Sequence, residues 1–417
     1  MPDQHNRSDA EEIAPEAGIV VPLDLPEFRV LDQHCSEDGT LRIQVMAKTT
    51  SMTCPHCQRE CEKIHDCRVR VKRDIPLRGY RVRLLVYKRR FACTDCAKTF
   101  TEPDEACGRR RRTTCRLRVS IGKQVASRPV AHVSEEEEVG PRFARESFQE
   151  QVAPQLERRG VSLDSQGSLP TPRYLGIDEY AIQKGHRYAT LLCDLEKRCP
   201  LETCRGRTQQ EVIKLLERLD HPERVEAVSL DMSGSFAPAI RQVLPQAVLV
   251  IDHFHVIQHV MKAFRKVVAG YAKQGIGQIL LHHHRHLFLK PLEKLTDEQK
   301  QERDRIASHL PGLEIAWQIK EGLRQWYGEA TAQTAEERLD QWIELVRHKG
   351  PEELRQALSA FVSWKAEILA FFRFLPTRIS NGYVEGKNNR TKTMMRQAYG
   401  YRNFRNLRLR ILMERGR

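Results

Sequence analysis

Alternating apolar and polar residues dominate the chain after residue 25. From "EFRVLDQHCSEDGTLRIQVMAK" to "FTEP", β-branched and basic residues alternate in short runs with the two-residue period of half-buried strands. The pattern predicts a small β-rich module over residues 26–108. The polar and acidic stretch before it, residues 1–25, is predicted to be a disordered leader.

The pattern becomes helical after a basic bridge. "GRRRRTTCRLR" opens a region, residues 109–158, in which helical stretches are broken by "SRP" and "EEEEVGPR". This length and punctuation are typical of a helix-turn-helix. The Gly- and Pro-containing residues 159–173 are predicted to form a linker.

A second α/β pattern begins at residue 174. "RYLGIDEYAIQ", "HRYATLLCDLEK" and "CPLETCRG" predict three strands, followed by the helix "TQQEVIKLLERL", the strand "VEAVSLD", the helix "FAPAIRQVL" and the strand "AVLVID". The order βββαβαβ predicts a mixed sheet whose last two strands run parallel to the first. Residues from about 260 to 375 are predicted to be all-helical, and a final helix is expected near "SNGYVEGKNN".

Length and charge narrow the class of protein. A chain of 417 residues predicts two or three domains, and 69 Lys and Arg against 55 Asp and Glu give a formal charge of +14. Such an excess favours a polyanionic partner such as DNA or RNA. No apolar run reaches the roughly 18 to 20 residues of a membrane span, so we expect a cytoplasmic protein without a membrane partner.

Two C-x-x-C pairs stand out among the twelve cysteines, "CPHC" and "CTDC". Each pair can present two thiolates from one tight turn, and two such pairs predict one structural zinc ion with four protein ligands. The predicted ligands are Cys54, Cys57, Cys93 and Cys96. Four neighbours are interpreted as spare residues: His56, Cys61, His65 and Cys67. The alternative is that the pairs are reduced structural cysteines.

Three acids occupy positions suited to metal-ion chemistry. Asp178 lies on the first strand of the mixed sheet, Asp231 ends the fourth and Glu385 lies on the late helix. The predicted order places the first and fourth strands side by side, about 4.8 Å apart, so the two aspartates can share a divalent ion. A carboxylate from a helix packed over the sheet would complete a two-metal site.

Three blocks resemble a known family. "YLGIDEYAIQKGHRYATLLCDLEKR", "LDMSGSFAPAIRQVLPQAVLVIDHFHVIQ" and "SNGYVEGKNNRTKTMMRQAYGYRNFRNLRLRIL" are similar to blocks of bacterial insertion-sequence transposases of the ISL-three family. The resemblance implies a zinc ribbon, a helix-turn-helix and an RNase H-like DDE domain, here residues 174–417, with an all-helical insertion. It implies Asp178, Asp231 and Glu385 as the residues that hold two catalytic Mg²⁺ ions.

The resemblance also implies double-stranded DNA as substrate, namely the terminal inverted repeats of an insertion sequence and a target. Cleavage and strand transfer at paired ends imply at least a homodimer in the active complex, associated with the nucleoid. Basic residues from the bridge and the final helices are predicted to contact DNA. They are Arg109, Arg110, Arg111, Arg112, Lys387, Arg390, Lys392, Arg396 and Arg402.

The stretch "IDHFH" adds an acid and two imidazoles at the end of the fifth strand. Asp252 would lie two strand spacings, roughly 10 Å, from the first strand, which favours Asp231 as the second acid of the triad. The D-x-x-H spacing resembles a motif of Mutator-like transposases, and Asp252 and His255 are predicted to orient the active site or the DNA end. His253 and His259 are expected at the surface. Two alternatives remain: an inactive zinc-ribbon DNA-binding regulator, and a hydrolase with zinc at Asp252 and His255.

Overall fold

The computed structural model describes residues 23–108, 111–183, 187–232, 234–398, 400–401 and 403–413. The chain divides into two compact units. The N-terminal unit runs up to Val125 and includes Val133–Phe148. The C-terminal unit comprises Ala126–His132 and the chain from Gln149 onward.

The N-terminal unit contains a five-stranded sheet and a two-stranded ribbon. The strands are β1 Phe28–Cys35, β2 Thr40–Ala47, β3 Met52–Thr53, β4 Glu60–Cys61, β5 Ile64–Leu77, β6 Tyr80–Ala92 and β7 Thr99–Thr101. The sheet has the order β1-β2-β6-β5, with β7 paired to β6, and the ribbon pairs β3 with β4. Alternate residues of β2 and β6 face inward and form the core of the sheet with Leu23.

Three helices follow in the region predicted to be a helix-turn-helix. They are α1 Cys115–Ser127, α2 Val130–Glu136 and α3 Pro141–Glu157. The breaks fall at "RP" and in the acidic run, where the sequence pattern places them. The assignment of one of these helices to DNA recognition stays a prediction.

The C-terminal unit contains a second five-stranded sheet. Its strands and intervening helices are β8 Tyr174–Gln183, β9 Arg187–Asp194, β10 Cys199–Arg205, α4 Gln209–Leu216, β11 Ala227–Leu230, α5 Phe236–Val243 and β12 Val248–Ile251. The strand order is β10-β9-β8-β11-β12. β8 pairs antiparallel with β9 and parallel with β11, and β11 pairs parallel with β12. This mixed sheet confirms the predicted α/β, RNase H-like class.

The described residues after β12 form helices only. Tryptophans hold the middle of this region together, since the Trp326 indole donates to the Ala335 carbonyl and the Trp342 indole to that of Ile319, both at 2.9 Å. None of the described helices is long and apolar enough to span a membrane. The helices are α6 His253–Tyr271, α7 Gly275–Leu280, α8 Arg285–Leu289, α9 Asp297–Ser308, α10 Pro311–Glu329, α11 Ala335–Lys349, α12 Glu352–Ser363, α13 Lys365–Arg373, α14 Gly382–Gln397 and α15 Phe404–Met413.

The segment predicted to be a linker, residues 159–173, is part of the C-terminal unit and packs within it. Leu169 is fully buried and its backbone N–H donates to the Arg218 carbonyl at 2.7 Å. Sequence polarity hides this because the segment buries only a few apolar side chains among many polar ones.

A buried ion cluster joins the same segment to the last helix. Glu202 of β10 is fully buried and accepts hydrogen bonds from Arg408 of α15, at 2.6 and 2.8 Å, and from Arg218 at 2.7 Å. Arg408 also donates to the Ser162 and Leu163 carbonyls, at 3.0 and 2.9 Å. The hydrogen bonds satisfy both Glu202 oxygens, which a buried carboxylate requires.

Candidate active site

Asp178 lies on β8, and Asp231 directly follows the neighbouring parallel strand β11 at the matched level. Ser229 of β11 is in register with Gly176 of β8, so two residues further on Asp231 stands level with Asp178. Burial raises the pKa of Asp178 to about 6, and the negative charge of Asp231 adds to the rise. Two carboxylates that disfavour each other's charge make this point of the sheet suited to a cation.

Glu385 lies on α14, the helix that packs against β8. Asn388, one turn further along the same helix, donates from Nδ2 to Asp178 Oδ2 at 2.7 Å. The i, i+3 spacing places Glu385 on the same side of α14, where it is half-buried. The three acids do not close into a compact cage. Within the described chain, only the cysteine cluster has three or more possible ligand atoms all within 4.8 Å of one another.

Close helix–sheet packing explains how α14 approaches Asp178. A Cβ atom at Gly176 would lie 2.6 Å from Val384 Cγ2 and 3.1 Å from Asn381 Oδ1, so the contact requires glycine. Asn381 is fully buried and donates from Nδ2 to the Ile177 carbonyl at 2.9 Å. The sequence alone assigns no role to Asn381 or Asn388; the glycine two residues before Asp178 is the one local sign of this close approach.

Asp252 lies one residue beyond β12, directly before α6, and not within the strand as predicted. It is buried and accepts hydrogen bonds from the Asn381 backbone N–H at 3.2 Å and from His255 Nδ1 at 3.0 Å. Burial favours a higher pKa for Asp252, but contacts with His253 and His255 lower it well below the usual range. Asp252 therefore stays ionised as a partner of the imidazoles.

His255 stands between two carboxylates. Its Nδ1 lies 2.7 Å from Asp231 Oδ1 and 3.0 Å from Asp252 Oδ2. Burial opposes protonation, yet the hydrogen bonds and charges of the two acids raise the pKa of His255 to about 10. Asp252 Oδ2 and Asp231 Oδ1 share the single Nδ1–H of His255, so Asp231 Oδ1 is buried without a hydrogen-bond donor of its own among the described residues.

The two neighbouring histidines are not free at the surface as expected. The His253 ring lies between Tyr327 and Phe371, with centroid distances of 5.7 and 5.2 Å. His259 Nε2 lies 3.2 Å from the Ala357 carbonyl oxygen. Both histidines lie on α6, which begins at His253, and the helix carries them into contact with the other helices of this region.

The residues fit a divalent metal ion of the magnesium type. Carboxylate oxygens are the ligands that Mg²⁺ prefers, and Asp231 Oδ1 is a buried oxygen whose second lone-pair partner is missing from the described chain. Asp178, Asp231 and Glu385 would hold such ions. For the alternative zinc site at Asp252 and His255, as for the three acids, the described residues offer no set of three ligand atoms within 4.8 Å of one another.

The four predicted cysteines converge in the N-terminal unit. Cys54 Sγ lies 3.7 Å from Cys96 Sγ, and Cys57 Sγ lies 3.5 Å from Cys93 Sγ. Zn–S bonds of about 2.3 Å place the sulfurs of a tetrahedral site about 3.8 Å apart, so the cluster fits zinc. We call each turn that carries a C-x-x-C pair a knuckle: residues 54–57 form the first and residues 93–96 the second. Backbone N–H groups of the second knuckle, that of Cys96 first, lower the pKa of Cys93 to about 6. His56, Cys61, His65 and Cys67 stay outside the cluster.

Both knuckles share one backbone device. The residue after the second cysteine has a positive φ in each, 61° at Gln58 and 59° at Ala97. The first cysteine of each knuckle then donates its backbone N–H across the turn, Cys54 to the Arg59 carbonyl and Cys93 to that of Lys98. The repeated turn is what aims two thiols from each knuckle at one point.

The predicted DNA-contacting residues differ in exposure. Lys387 is buried, with Nζ 5.6 Å from the centre of the Tyr383 ring, because the α14 face that packs on the sheet includes it. Arg109, Arg110 and Arg402 lie outside the described residues. The remaining five are at least partly exposed: Arg111, Arg112, Arg390, Lys392 and Arg396.

Comparisons with known proteins agree with this architecture. Residues 175–411, more than half of the chain, match the ISL3 (ISL-three) transposase family with its DDE domain. Residues 50–96 match the zinc finger of the transposases of IS204, IS1001, IS1096 and IS1165, so the cysteine module is a zinc ribbon.

The individual proteins to which the chain is similar are also transposases of insertion sequences. The chain is 28% identical over 371 residues to the transposase for insertion sequence element IS1001 of Bordetella parapertussis, covering 87% of this chain and 88% of that protein. It is 24% identical over 261 residues to the IS1557 transposase of two Mycobacterium tuberculosis strains, CDC 1551 / Oshkosh and H37Rv, covering 55% of this chain and 57% of theirs. The chain belongs to the ISL3 family of insertion-sequence transposases.

Proposed function

We propose that this transposase binds the terminal inverted repeats of an insertion sequence, cuts DNA at their ends and joins the freed ends to a target. The observation that carries the proposal is the level pair of Asp178 and Asp231 on adjacent strands, with the pKa of Asp178 raised to about 6. A fold tolerates such repulsion where a bound cation relieves it during function. Glu385 on α14 is the proposed third acid.

The side chains around the acids support this role by fixing their orientation. Asn388 holds Asp178 Oδ2, and the Glu179 backbone N–H holds Oδ1 at 2.7 Å. His255 keeps Asp231 beside Asp252, and Asp252 in turn anchors the start of α14 through Asn381. Two Mg²⁺ ions, when bound, supply positive charge at the scissile phosphate and help deprotonate the attacking hydroxyl group.

The chemistry needs no covalent protein intermediate. A water molecule attacks the phosphorus atom in line with the leaving 3′ oxygen, whose bond to phosphorus breaks. The freed 3′-hydroxyl then loses its proton and attacks a target phosphorus in line; a new P–O bond forms as the bond from that phosphorus to the target strand's own 3′ oxygen breaks. The same acids therefore serve cleavage and joining, provided that the DNA ends stay bound between the steps.

DNA binding is proposed to involve both units. The formal charge of +14 and the exposed cations on α14 favour phosphate contacts in the C-terminal unit. In the N-terminal unit we propose Arg111 and Arg112 as phosphate contacts. We propose the zinc ribbon, residues 26–108, and the helices of 109–158, which both units share, as the modules that recognise the repeat. A homodimer would pair the two ends, in the cytoplasm and associated with the nucleoid.

The test uses the full chain and a DNA fragment that carries one terminal inverted repeat with its flanking sequence. We expect nicks or breaks at the repeat boundary with Mg²⁺, none with EDTA, and joined products when target DNA is added. A fragment with a scrambled repeat is the matched control. Tight, repeat-specific binding without any cleavage in Mg²⁺ or Mn²⁺ would favour the inactive regulator instead.

Asp252 is proposed as a positioning residue. Asp252→Asn weakens the acceptor that holds His255 and Asn381, so we expect single-turnover cleavage to slow by about 10- to 100-fold, as for other partners of metal-ligand groups. The Mg²⁺ concentration for half-maximal rate should rise, which a merely structural role would not produce. Asp194→Asn is the control, since Asp194 is also a buried strand-end aspartate but bonds the local turn. Loss as complete as in Asp231→Asn would exchange the roles of the two acids.

A further inference from the structure

A concavity opens beside the carboxylates of the C-terminal unit. It has a volume of about 400 Å³, and Asp231 and His255 form one of its ends. Gln258, His259, Lys262 and Arg265 of α6 line one wall, and Ala360 and Trp364 at the junction of α12 and α13 belong to the other. The α6 residues recur at spacings of three and four, so one helix face leads away from the proposed active site.

Two cations of this wall are available to a ligand. Lys262 and Arg265 are exposed, and neither forms a hydrogen bond or an ion pair with any residue that the structure describes. Some other cations of the helical region are held by acids, for example Lys365 by Asp340 and Arg305 by Glu302, both at 2.7 Å. Among the described residues, Asp231 is the only acid that lines the concavity. Lysine and arginine without acidic neighbours favour phosphate oxygens.

Trp364 adds an aromatic face to the cations. It is half-buried and lines the concavity, whereas the other three tryptophans, Trp317, Trp326 and Trp342, are buried in the helical core. Aromatic side chains beside basic residues are the usual platform for unpaired bases, since every base presents a π-face. The combination of cations, an indole and a neighbouring carboxylate pair matches a nucleotide strand better than an apolar ligand.

We propose that this concavity holds the DNA strand next to the scissile phosphate, with Lys262 and Arg265 on its phosphates and Trp364 stacked on a base drawn out of the duplex. The inference rests on the proposed function, because it takes Asp231 as part of the site where the phosphate is attacked. It adds a place for the flanking nucleotide and a reason for local strand opening. A base next to the cleavage point then becomes part of what the enzyme recognises.

The phosphate contacts are tested by the salt dependence of binding. The full chain is bound to a repeat-end duplex with Ca²⁺ replacing Mg²⁺, and log K is followed against log salt concentration. Each lost phosphate contact lowers the slope by about 0.9. Lys262→Ala and Arg265→Ala are each expected to show that decrease. Lys266→Ala, an exposed lysine on the same helix that does not line the concavity, should keep the wild-type slope. Equal slopes in all three variants overturn the inference.

The stacking contact is tested with 2-aminopurine in place of the base beside the scissile phosphate. We expect binding to change its fluorescence with wild-type protein and with Trp364→Phe, and not with Trp364→Leu. Trp364→Leu should also cleave the matched duplex more slowly than wild type. A mismatch at that base pair should restore most of its cleavage rate, because the base is then already unpaired. A fluorescence change with Trp364→Leu as large as with wild-type protein, at a melting temperature close to wild type, contradicts the stacking role.

The two proposals fail separately. If wild-type protein cleaves repeat ends but Lys262→Ala binds with the same slope as Lys266→Ala, the concavity is not the strand site and the proposed function stands. If no cleavage occurs while the slopes differ as expected, the concavity binds DNA and the strand-transfer chemistry is wrong.

Discussion

Asp178→Asn is expected to abolish Mg²⁺-dependent cleavage of the repeat end, with single-turnover rates falling on the order of 1,000-fold or more. Asp231→Asn and Glu385→Gln should have comparable effects, because each removes a negative ligand from the proposed metal site. Binding of the repeat should persist in all three, since the cations that contact phosphate are unchanged. Glu179→Gln is the matched control, as Glu179 is the adjacent acid and pairs with Arg207 at 2.5 Å.

The same substitution should not damage the fold. The pKa of Asp178 is raised from 3.8 to about 6, so the folded state holds its proton more tightly than the unfolded state. Its contribution to stability therefore falls as pH rises from about 4 to about 6, by up to about 3 kcal/mol. In metal-free buffer at pH 7.5 or so, Asp178→Asn should melt at or above the wild-type temperature. Rotation of the Asn388 amide, whose Oδ1 has no described partner, lets it accept from the new side chain.

Inactivity with a preserved melting temperature separates a catalytic role from a structural one. A large drop in melting temperature would assign Asp178 to the fold alone. Full activity of any one variant would remove that residue from the triad.

Removal of one cysteine from each knuckle, Cys54→Ser with Cys93→Ser, is expected to release the zinc and unfold the surrounding turns. Apparent binding free energies of structural zinc in small modules are roughly 10 to 16 kcal/mol, and the small cluster of buried side chains around these cysteines cannot replace that amount. We expect about one zinc per chain in wild-type protein by elemental analysis, retained under mild Mg²⁺ chelation, and almost none in the double variant.

Limited proteolysis provides the structural readout for the zinc prediction. Cleavage within residues 50–96 should accelerate in the double variant and stay slow in Cys35→Ser with Cys115→Ser, which removes two exposed cysteines of the same unit. Absence of zinc from metal-replete wild-type protein, or retention of zinc by the double variant, would contradict the assignment. Repeat binding should weaken together with zinc loss if the ribbon positions the recognition module.

Local signals were sufficient to predict the sheet and the zinc cluster. The βββαβαβ order allows few arrangements once crossovers between parallel strands are required to be right-handed, so the placement of β8 beside β11 followed from the sequence. The cysteine pairs were equally accessible, since C-x-x-C spacing encodes the knuckle. In both cases the order and separation of residues along the chain are enough to determine which of them lie close together in the fold.

The contacts that orient the acids were not accessible in this way. Asn388 meets Asp178 across 210 residues, and Asn381 meets Asp252 across 129. Because Lys387 is charged, the sequence predicts it as a contact to DNA. Its position on the packed side of α14 depends instead on the close approach of helix and sheet that Gly176 permits. Asp252 was assigned to a strand end because the apolar run before it gives no sign that a helix begins at once. Such features depend on tertiary packing.

The cluster of Glu202, Arg408 and Arg218 has a consequence for synthesis of the protein. Arg408 is added 206 residues after Glu202, so a nascent chain that has made the whole catalytic sheet still lacks the guanidinium that covers both oxygens of that glutamate. Loss of one partner of a buried ion pair costs about 3 to 5 kcal/mol. A chain that stops before α15, through a premature stop codon or a frameshift, would thus carry every proposed catalytic acid on a weakened sheet. The stability of the catalytic unit therefore depends on translation through α15.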